Sequence, residues 1–236
     1  MLGDWLATFE ALKAVYADEA YSNIAINEAV EHHKECSGGF VRAFAKGVIR
    51  DTMRLDYCVE KLADKGLKGI KKRTLIVLRM GIYAIDSLDS VPDYAAVNEA
   101  VALAKKVSRG TDRFINALLR RYLKEKDNLA TDESNLSLRY SFPQKLVDLL
   151  QSQYGEDTEK LLIALNTAPD LILRTNTLMA EPDELAELLA KDGIICKPVE
   201  GSRTALVCKK GQPVSTSYYR DGWFSVQSLS SIKSIE

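Results

Sequence analysis

Few side chains in this sequence are suited to acid–base, nucleophilic or metal chemistry, and their spacing argues against each use. The two histidines, His32 and His33, are adjacent. On a helix they point roughly 100° apart, so they cannot form the i, i+4 pair that grips a metal. They read instead as a solvated helix end, where imidazolium meets the negative end of the dipole. The four cysteines, Cys36, Cys58, Cys196 and Cys208, contain no C-x-x-C pair, so neither a zinc site nor a disulfide framework is indicated. Each reads as a structurally buried, reduced thiol, and only Cys208, ahead of Lys209-Lys210, has adjacent basic groups that favour a thiolate. G-x-G-x-x-G, the Walker A pattern and the G-x-S-x-G elbow do not occur. The common dinucleotide, P-loop and serine-hydrolase readings therefore fall away.

Charge is the positive signal. The net charge of −1 conceals a strong asymmetry: residues 1–64 carry −4, residues 65–126 carry +8 and residues 127–236 carry −5. A cationic block between acidic flanks suits a polyanion. Lys65, Lys68, Lys71, Lys72 and Arg73 surround the start of a predicted helix, where each close positive charge opposes the dipole at a cost of ~0.3–1 kcal/mol. An anion on the free N–H groups of that terminus would offset this. A second cluster is Lys105, Lys106, Arg109 and Arg113. Further on, Arg113, Arg120 and Lys124 fall within about 40° of one another on a helix. The opposite stripe, Phe114, Ile115, Leu118, Leu119 and Tyr122, is apolar and expected to pack inward. Such a rail suits phosphates, with affinity that falls as salt rises. Ordinary solvated helix faces would use the same residues, and charge alone leaves both alternatives open. Asn98 and Asn116 lie beside apolar stripes and read as half-buried amides satisfied by core hydrogen bonds to helix ends.

The elements that must position these residues are mostly helices. With 46% hydrophobic and 28% charged residues the composition is that of a globular protein, which excludes fibrous and disordered classes. No apolar run reaches the ~18–20 residues of a membrane span, and Met1-Leu2-Gly3-Asp4-Trp5 lacks the features of a signal peptide. A cytoplasmic protein with no membrane partner is expected. Periodicity predicts six helices at Asp4–Tyr16, Ser22–His33, Phe40–Ala63, Arg73–Leu88, Asp93–Val107 and Asp112–Lys124. The run Ala25-Ile26-Asn27-Glu28-Ala29-Val30 recurs 71 positions later as Ala96-Val97-Asn98-Glu99-Ala100-Val101. Each copy is the middle helix of three, which implies two three-helix bundles packed together.

After Lys126 the composition changes. Five of the six prolines lie beyond residue 142, and β-rich runs appear. Helices are expected from Ser141-Phe142-Pro143 to about Tyr154 and over Asp157–Asn166. Strands are expected at Leu171–Asn176, Ile194–Pro198, Thr204–Cys208 and Trp223–Gln227, with a helix at Pro182–Lys191. A mainly α chain follows: an all-helical domain over 1–127 and a small α+β domain over 128–236, with polar Lys126–Ser137 at the boundary.

Several runs carry a resemblance. Phe44–Arg50, Ile76–Tyr83, Val91–Val101 and Arg113–Arg121 resemble the NusB antitermination-factor fold. With Arg139–Pro143, Leu173–Thr177 and Asp221–Gln227, the whole chain resembles the N-terminal half of bacterial ribosomal-RNA cytosine-C5 methyltransferases of the Sun (RsmB-like) family. Stand-alone antitermination factors would end near residue 130. The resemblance implies a chain that binds and positions small-subunit ribosomal RNA. In the family, S-adenosylmethionine is the methyl donor and a cysteine thiolate the nucleophile. Both are expected downstream of Gln227, where the tail Ser228–Glu236 departs from the family pattern. The chain is therefore expected to lack the catalytic core, to hold no cofactor itself and to have no catalytic residue. The family's RNA-binding positions map onto Asn98, Lys105, Arg113, Phe114, Asn116 and Arg120, although Ser108–Asp112 is shorter than the usual loop. Together with the charge reading, the expected RNA contacts are Lys71, Lys72, Arg73, Asn98, Lys105, Arg109, Arg113, Phe114, Asn116, Arg120 and Lys124. Expected partners are ribosomal RNA, the missing methyltransferase domain and a ribosomal protein. The last also fits an alternative role as an antitermination-type interaction module.

Overall fold

The structure, a computed structural model, describes residues 1–129 and 135–236. Residues 130–134, inside the expected boundary segment 126–137, lie outside the described residues. The chain forms two compact units, Met1–Asn166 and Thr167–Glu236.

Seven helices make up most of the first unit: α1 (Leu2–Ala17), α2 (Ser22–His32), α3 (Gly38–Arg50), α4 (Thr52–Leu62), α5 (Lys72–Ser87), α6 (Asp93–Val107) and α7 (Asp112–Glu125). A 3-10 turn, Leu67–Gly69, precedes α5. The continuous helix expected over Phe40–Ala63 is in fact two. The Thr52 hydroxyl hydrogen-bonds to the Val48 and Ile49 carbonyls at 3.0 and 2.8 Å, and Asp51 leaves helical geometry with ψ 12°. A side chain competing for backbone carbonyls favours such a break.

The repeated motif is visible in the packing. Ala25, Ile26 and Ala29 on α2, and their counterparts Ala96, Val97 and Ala100 on α6, are all buried, while Asn27 and Asn98 are both exposed. The two halves share one core, which runs from Trp5 and Phe44 through Leu78 and Ile82 to Leu103 and Leu119. α5 is the central element, buried over most of its length. α3 can approach it because residue 47 is glycine: a Cβ there would overlap the Tyr83 hydroxyl, whose ring stacks on Phe44 at 5.8 Å.

Two ion pairs are built into this core. Arg79, 9% exposed, donates to both Asp56 oxygens at 2.7 and 2.8 Å and lies 4.4 Å from the Tyr16 ring centre. Arg54 and the Tyr122 hydroxyl both donate to Asp86 Oδ2 at 2.7 Å. Such groups hold each other in place, and removing Arg79 leaves the half-buried Asp56 unpaired.

The first unit continues through α8 (Leu136–Tyr140), α9 (Gln144–Tyr154) and α10 (Thr158–Asn166). They hydrogen-bond to the helical bundle at two points and to one another. The Met53 amide donates to Ser141 Oγ at 3.0 Å, Arg50 Nη1 donates to the Asn166 carbonyl at 3.4 Å, and Asn166 Nδ2 donates to the Tyr140 carbonyl at 2.8 Å. The two compact units meet at 166/167.

The second unit holds β1 (Leu171–Thr175), α11 (Pro182–Lys191), β2 (Ile195–Pro198), β3 (Ala205–Lys210), α12 (Ser217–Arg220), β4 (Phe224–Val226) and α13 (Leu229–Lys233). The strands form an antiparallel sheet in the order β2-β3-β1-β4. Alternation divides their side chains between two faces. Leu173, Leu206 and Phe224 pack with Leu185 and Leu189 of α11, while Ile172 and Ala205 pack with Ile232 of α13. The mainly α chain with a small α+β unit matches the expected fold class.

Candidate nucleic-acid interface

The +8 block divides into two kinds of cation. Of its fourteen basic residues, Arg79, Arg121 and Lys126 pair with carboxylates: Arg79 with Asp56, Arg121 with Asp64 and Glu125, and Lys126 with Asp93. Among the described residues, the other eleven have no carboxylate within 4.0 Å. They include every Lys and Arg expected to contact RNA. A protein surface that needed only solubility would intersperse signs and form pairs as they arise, so this separation leaves a field available to an outside anion.

Four of the free cations converge. Lys71, Lys72 and Arg73 at the start of α5 line a surface cavity of about 270 Å³ with Val107, Ser108, Arg109 and Thr111 from the α6–α7 connection. Three hydroxyls fix this meeting of elements. Thr74 Oγ1 and Ser108 Oγ are 2.8 Å apart, and the Thr111 hydroxyl donates to the Ser108 carbonyl at 2.6 Å. Thr74 is 2% exposed, so its hydroxyl is a structural pin rather than a ligand. α5 has no side-chain cap and no acidic residue in its first turn. The uncapped first turn of α5 and its three cations thus border the same opening as Arg109. Lys106 and Arg73 also line a neighbouring cavity of about 370 Å³ with Lys13, Glu10 and Asp18, where the signs are mixed.

The remaining candidates occupy the outer faces of α6 and α7. Arg113, Arg120 and Lys124 are exposed and share one face of α7 by their spacing. The stripe behind them is buried at Ile115, Leu118, Leu119 and Tyr122 but not at Phe114, which is 41% exposed. That corrects the expectation that Phe114 packs inward: it sits about 90° from the centre of the apolar stripe. Among the described residues, neither asparagine makes the expected core hydrogen bond. Asn98 is exposed, and Asn116 is half-buried and accepts a bond from Arg120 Nε at 3.1 Å. Lys105 is exposed on the same side of α6 as Asn98. It lies in the last turn, where positive charge is favoured by the dipole. Sequence reasoning missed the Thr74–Ser108 contact, because two hydroxyls 34 positions apart carry no periodic signal.

His32 bonds the Glu28 carbonyl at 2.9 Å and His33 pairs with Glu10 at 2.8 Å. Of the cysteines only Cys58 is buried; Cys36, Cys196 and Cys208 are partly exposed, a correction to the expected burial. Among the described residues there is no group of three or more metal-ligating side chains, and no helix is long and apolar enough to cross a membrane. In the second unit a cavity of about 490 Å³ is lined by Arg174, Thr175, Asn176, Thr177, Leu178, Thr204, Gly222, Phe224 and Ser225.

Comparison with known proteins places both parts of the chain. The NusB family profile matches residues 6–124, and that of the Methyltr_RsmF/B-like, ferredoxin-like domain matches residues 142–215. A Synechocystis protein called "Probable ribosomal RNA small subunit methyltransferase B" is 30% identical over 232 residues, covering 94% of this chain and 52% of the relative. A Bacillus subtilis protein of the same name is 28% identical, with coverages of 94% and 52%. The chain therefore spans about half the length of these relatives. The crystal structure of PH0851 aligns with a TM-score of 0.67 at 19% identity, over 98% of this chain and 54% of that one, which shows a shared fold.

Proposed function

We propose, since this chain belongs to the NusB family and continues into an RsmF/B-type ferredoxin-like domain, that it is the RNA-binding part of an rRNA cytosine-C5 methyltransferase. The helical unit grips small-subunit ribosomal RNA by its phosphates and holds it in register for methyl transfer. S-adenosylmethionine and the cysteine nucleophile of that reaction are assigned to sequence outside residues 1–236, and the protein works where ribosomal RNA is made, in the cytoplasm.

One observation carries this reading. Lys71, Lys72, Arg73 and Arg109 meet around an uncapped helix N-terminus, and among the described residues none of them has a carboxylate within 4.0 Å. Three positive charges at the positive end of a helix dipole are unfavourable by themselves and become favourable when a phosphate sits between them and the free amides. Arg113, Arg120 and Lys124 extend the contact along α7, and Asn98, Lys105, Phe114 and Asn116 lie on the surfaces that flank it. Phe114, an exposed aromatic, suits stacking on an unpaired base.

Titrating a fluorescent small-subunit rRNA fragment with the protein at two salt concentrations tests the proposal. Binding that weakens steeply with salt is expected. No binding at low salt would remove RNA from the account.

A further inference from the structure

The second unit carries a feature that RNA binding does not use. Cys196 of β2 and Cys208 of β3 are direct partners in the antiparallel ladder. The Val199 amide donates to the Ala205 carbonyl at 2.9 Å, which makes 199/205 a hydrogen-bonded pair. Alternation then makes 198/206 a non-hydrogen-bonded pair, consistent with Pro198 lacking an N–H, and 196/208 another. Opposed residues in non-hydrogen-bonded pairs have Cα atoms about 4.5 Å apart, inside the ~4.4–6.8 Å window a disulfide requires. Both side chains lie on the α11 face of the sheet, against the cluster around Leu206. Both cysteines are free and partly exposed, and β2 is an edge strand.

We infer that Cys196 and Cys208 form a redox-responsive dithiol that a low-molecular-weight disulfide converts into a cross-strand link. The Cys208 thiolate attacks one sulfur of the oxidant, giving a mixed disulfide and releasing one thiol. The Cys196 thiolate then attacks the Cys208 sulfur, forms the internal bond and releases the second thiol. Two protein S–H groups and one small disulfide become one protein disulfide and two small thiols. The order of attack follows from the surroundings. Burial and the neighbouring thiol push Cys196 up to about 12. Cys196 thus serves as the resolving group. The link ties edge strand β2 to β3, and loss of the link leaves that strand held by its ladder bonds alone.

The 236-residue chain, incubated in glutathione buffers of increasing oxidised fraction, quenched in acid, alkylated and mapped by mass spectrometry, tests this. Two of the four thiols should disappear together, with the Cys196 and Cys208 peptides linked and Cys58 still reduced. Cys196→Ser should leave Cys208 in a persistent mixed disulfide with glutathione, and Cys36→Ser should leave the internal link intact. Hydrogen exchange should slow over residues 195–198 in the oxidised form. Separate glutathione adducts on both cysteines of the wild-type chain, a link to Cys36 or Cys58, or four reduced thiols throughout would each overturn the inference. The wild-type map decides even if a serine variant fails to fold.

Discussion

Thr74 and Ser108, 2.8 Å apart through their side-chain oxygens, join the first turn of α5 to the residue that follows α6. They fix where the cations of two separate sequence segments meet. Thr74→Val and Ser108→Ala should each cost ~1 kcal/mol of stability, with a coupling of similar size in the double-mutant cycle. Both should weaken RNA binding although neither residue carries charge. Thermal denaturation with an RNA titration on the four proteins checks this, and strictly additive stability changes would show that the contact is not formed.

The free cations and the paired ones should behave oppositely. Lys72→Ala, Arg73→Ala and Arg109→Ala should each reduce the salt dependence of RNA binding by about one unit of log–log slope while leaving thermal stability nearly unchanged. Arg79→Ala should destabilise the protein by roughly 3 kcal/mol, because it strands Asp56 and removes the contact with Tyr16. A large stability loss from Arg73→Ala would assign that residue to the fold instead.

On α7, the double variant Arg113→Ala/Arg120→Ala should lower RNA affinity and flatten its salt dependence without much change in melting temperature. Both side chains are exposed, and the one hydrogen bond lost, from Arg120 to Asn116, is a surface bond worth less than ~1 kcal/mol. Urea denaturation alongside binding separates the outcomes: collapse of stability would make the rail structural.

The Tyr122 hydroxyl, buried and donating to Asp86, is held well above the ordinary tyrosine range by burial and by that carboxylate. Burial raises Tyr16 and Tyr83 as well. Each such group keeps its proton in the folded state after the unfolded chain has lost it at about pH 10. The stabilisation is therefore complete below about pH 9 and declines as the pH rises beyond 10. Urea midpoints measured between pH 8 and 11 should be flat and then fall. Tyr122→Phe should be less stable at pH 8 but lose less over the alkaline range; an unchanged alkaline slope would remove Tyr122 from the effect.

Much of this protein was legible in its residues because the signals are local. The 3.6-residue apolar period marked α1, α2 and α5–α7, the proline shift and β-branched runs located the four strands, and the motif repeated at an offset of 71 marked α2 and α6 as counterparts, which the structure buries at matching positions. Charge counting found the +8 block for the same reason: a sum needs no geometry. What escaped were the events in which one side chain overrides a period or two distant segments meet. The Thr52 hydroxyl breaks a helix that periodicity would continue, and Ser141 and the Asn166 carbonyl accept bonds from Met53 and Arg50, about ninety or more positions earlier in the chain.

The sequence by itself determined that a cationic stretch exists, which helices bear it and which strands follow. Only the tertiary structure decided which of those cations are free. Arg79 and Arg73 are six positions apart on one helix and look alike in a charge count. Packing puts the first against Asp56 in the core and the second at an open cavity. Whether a charge is neutralised depends on what lies within a few ångströms, and those neighbours come from elsewhere in the chain.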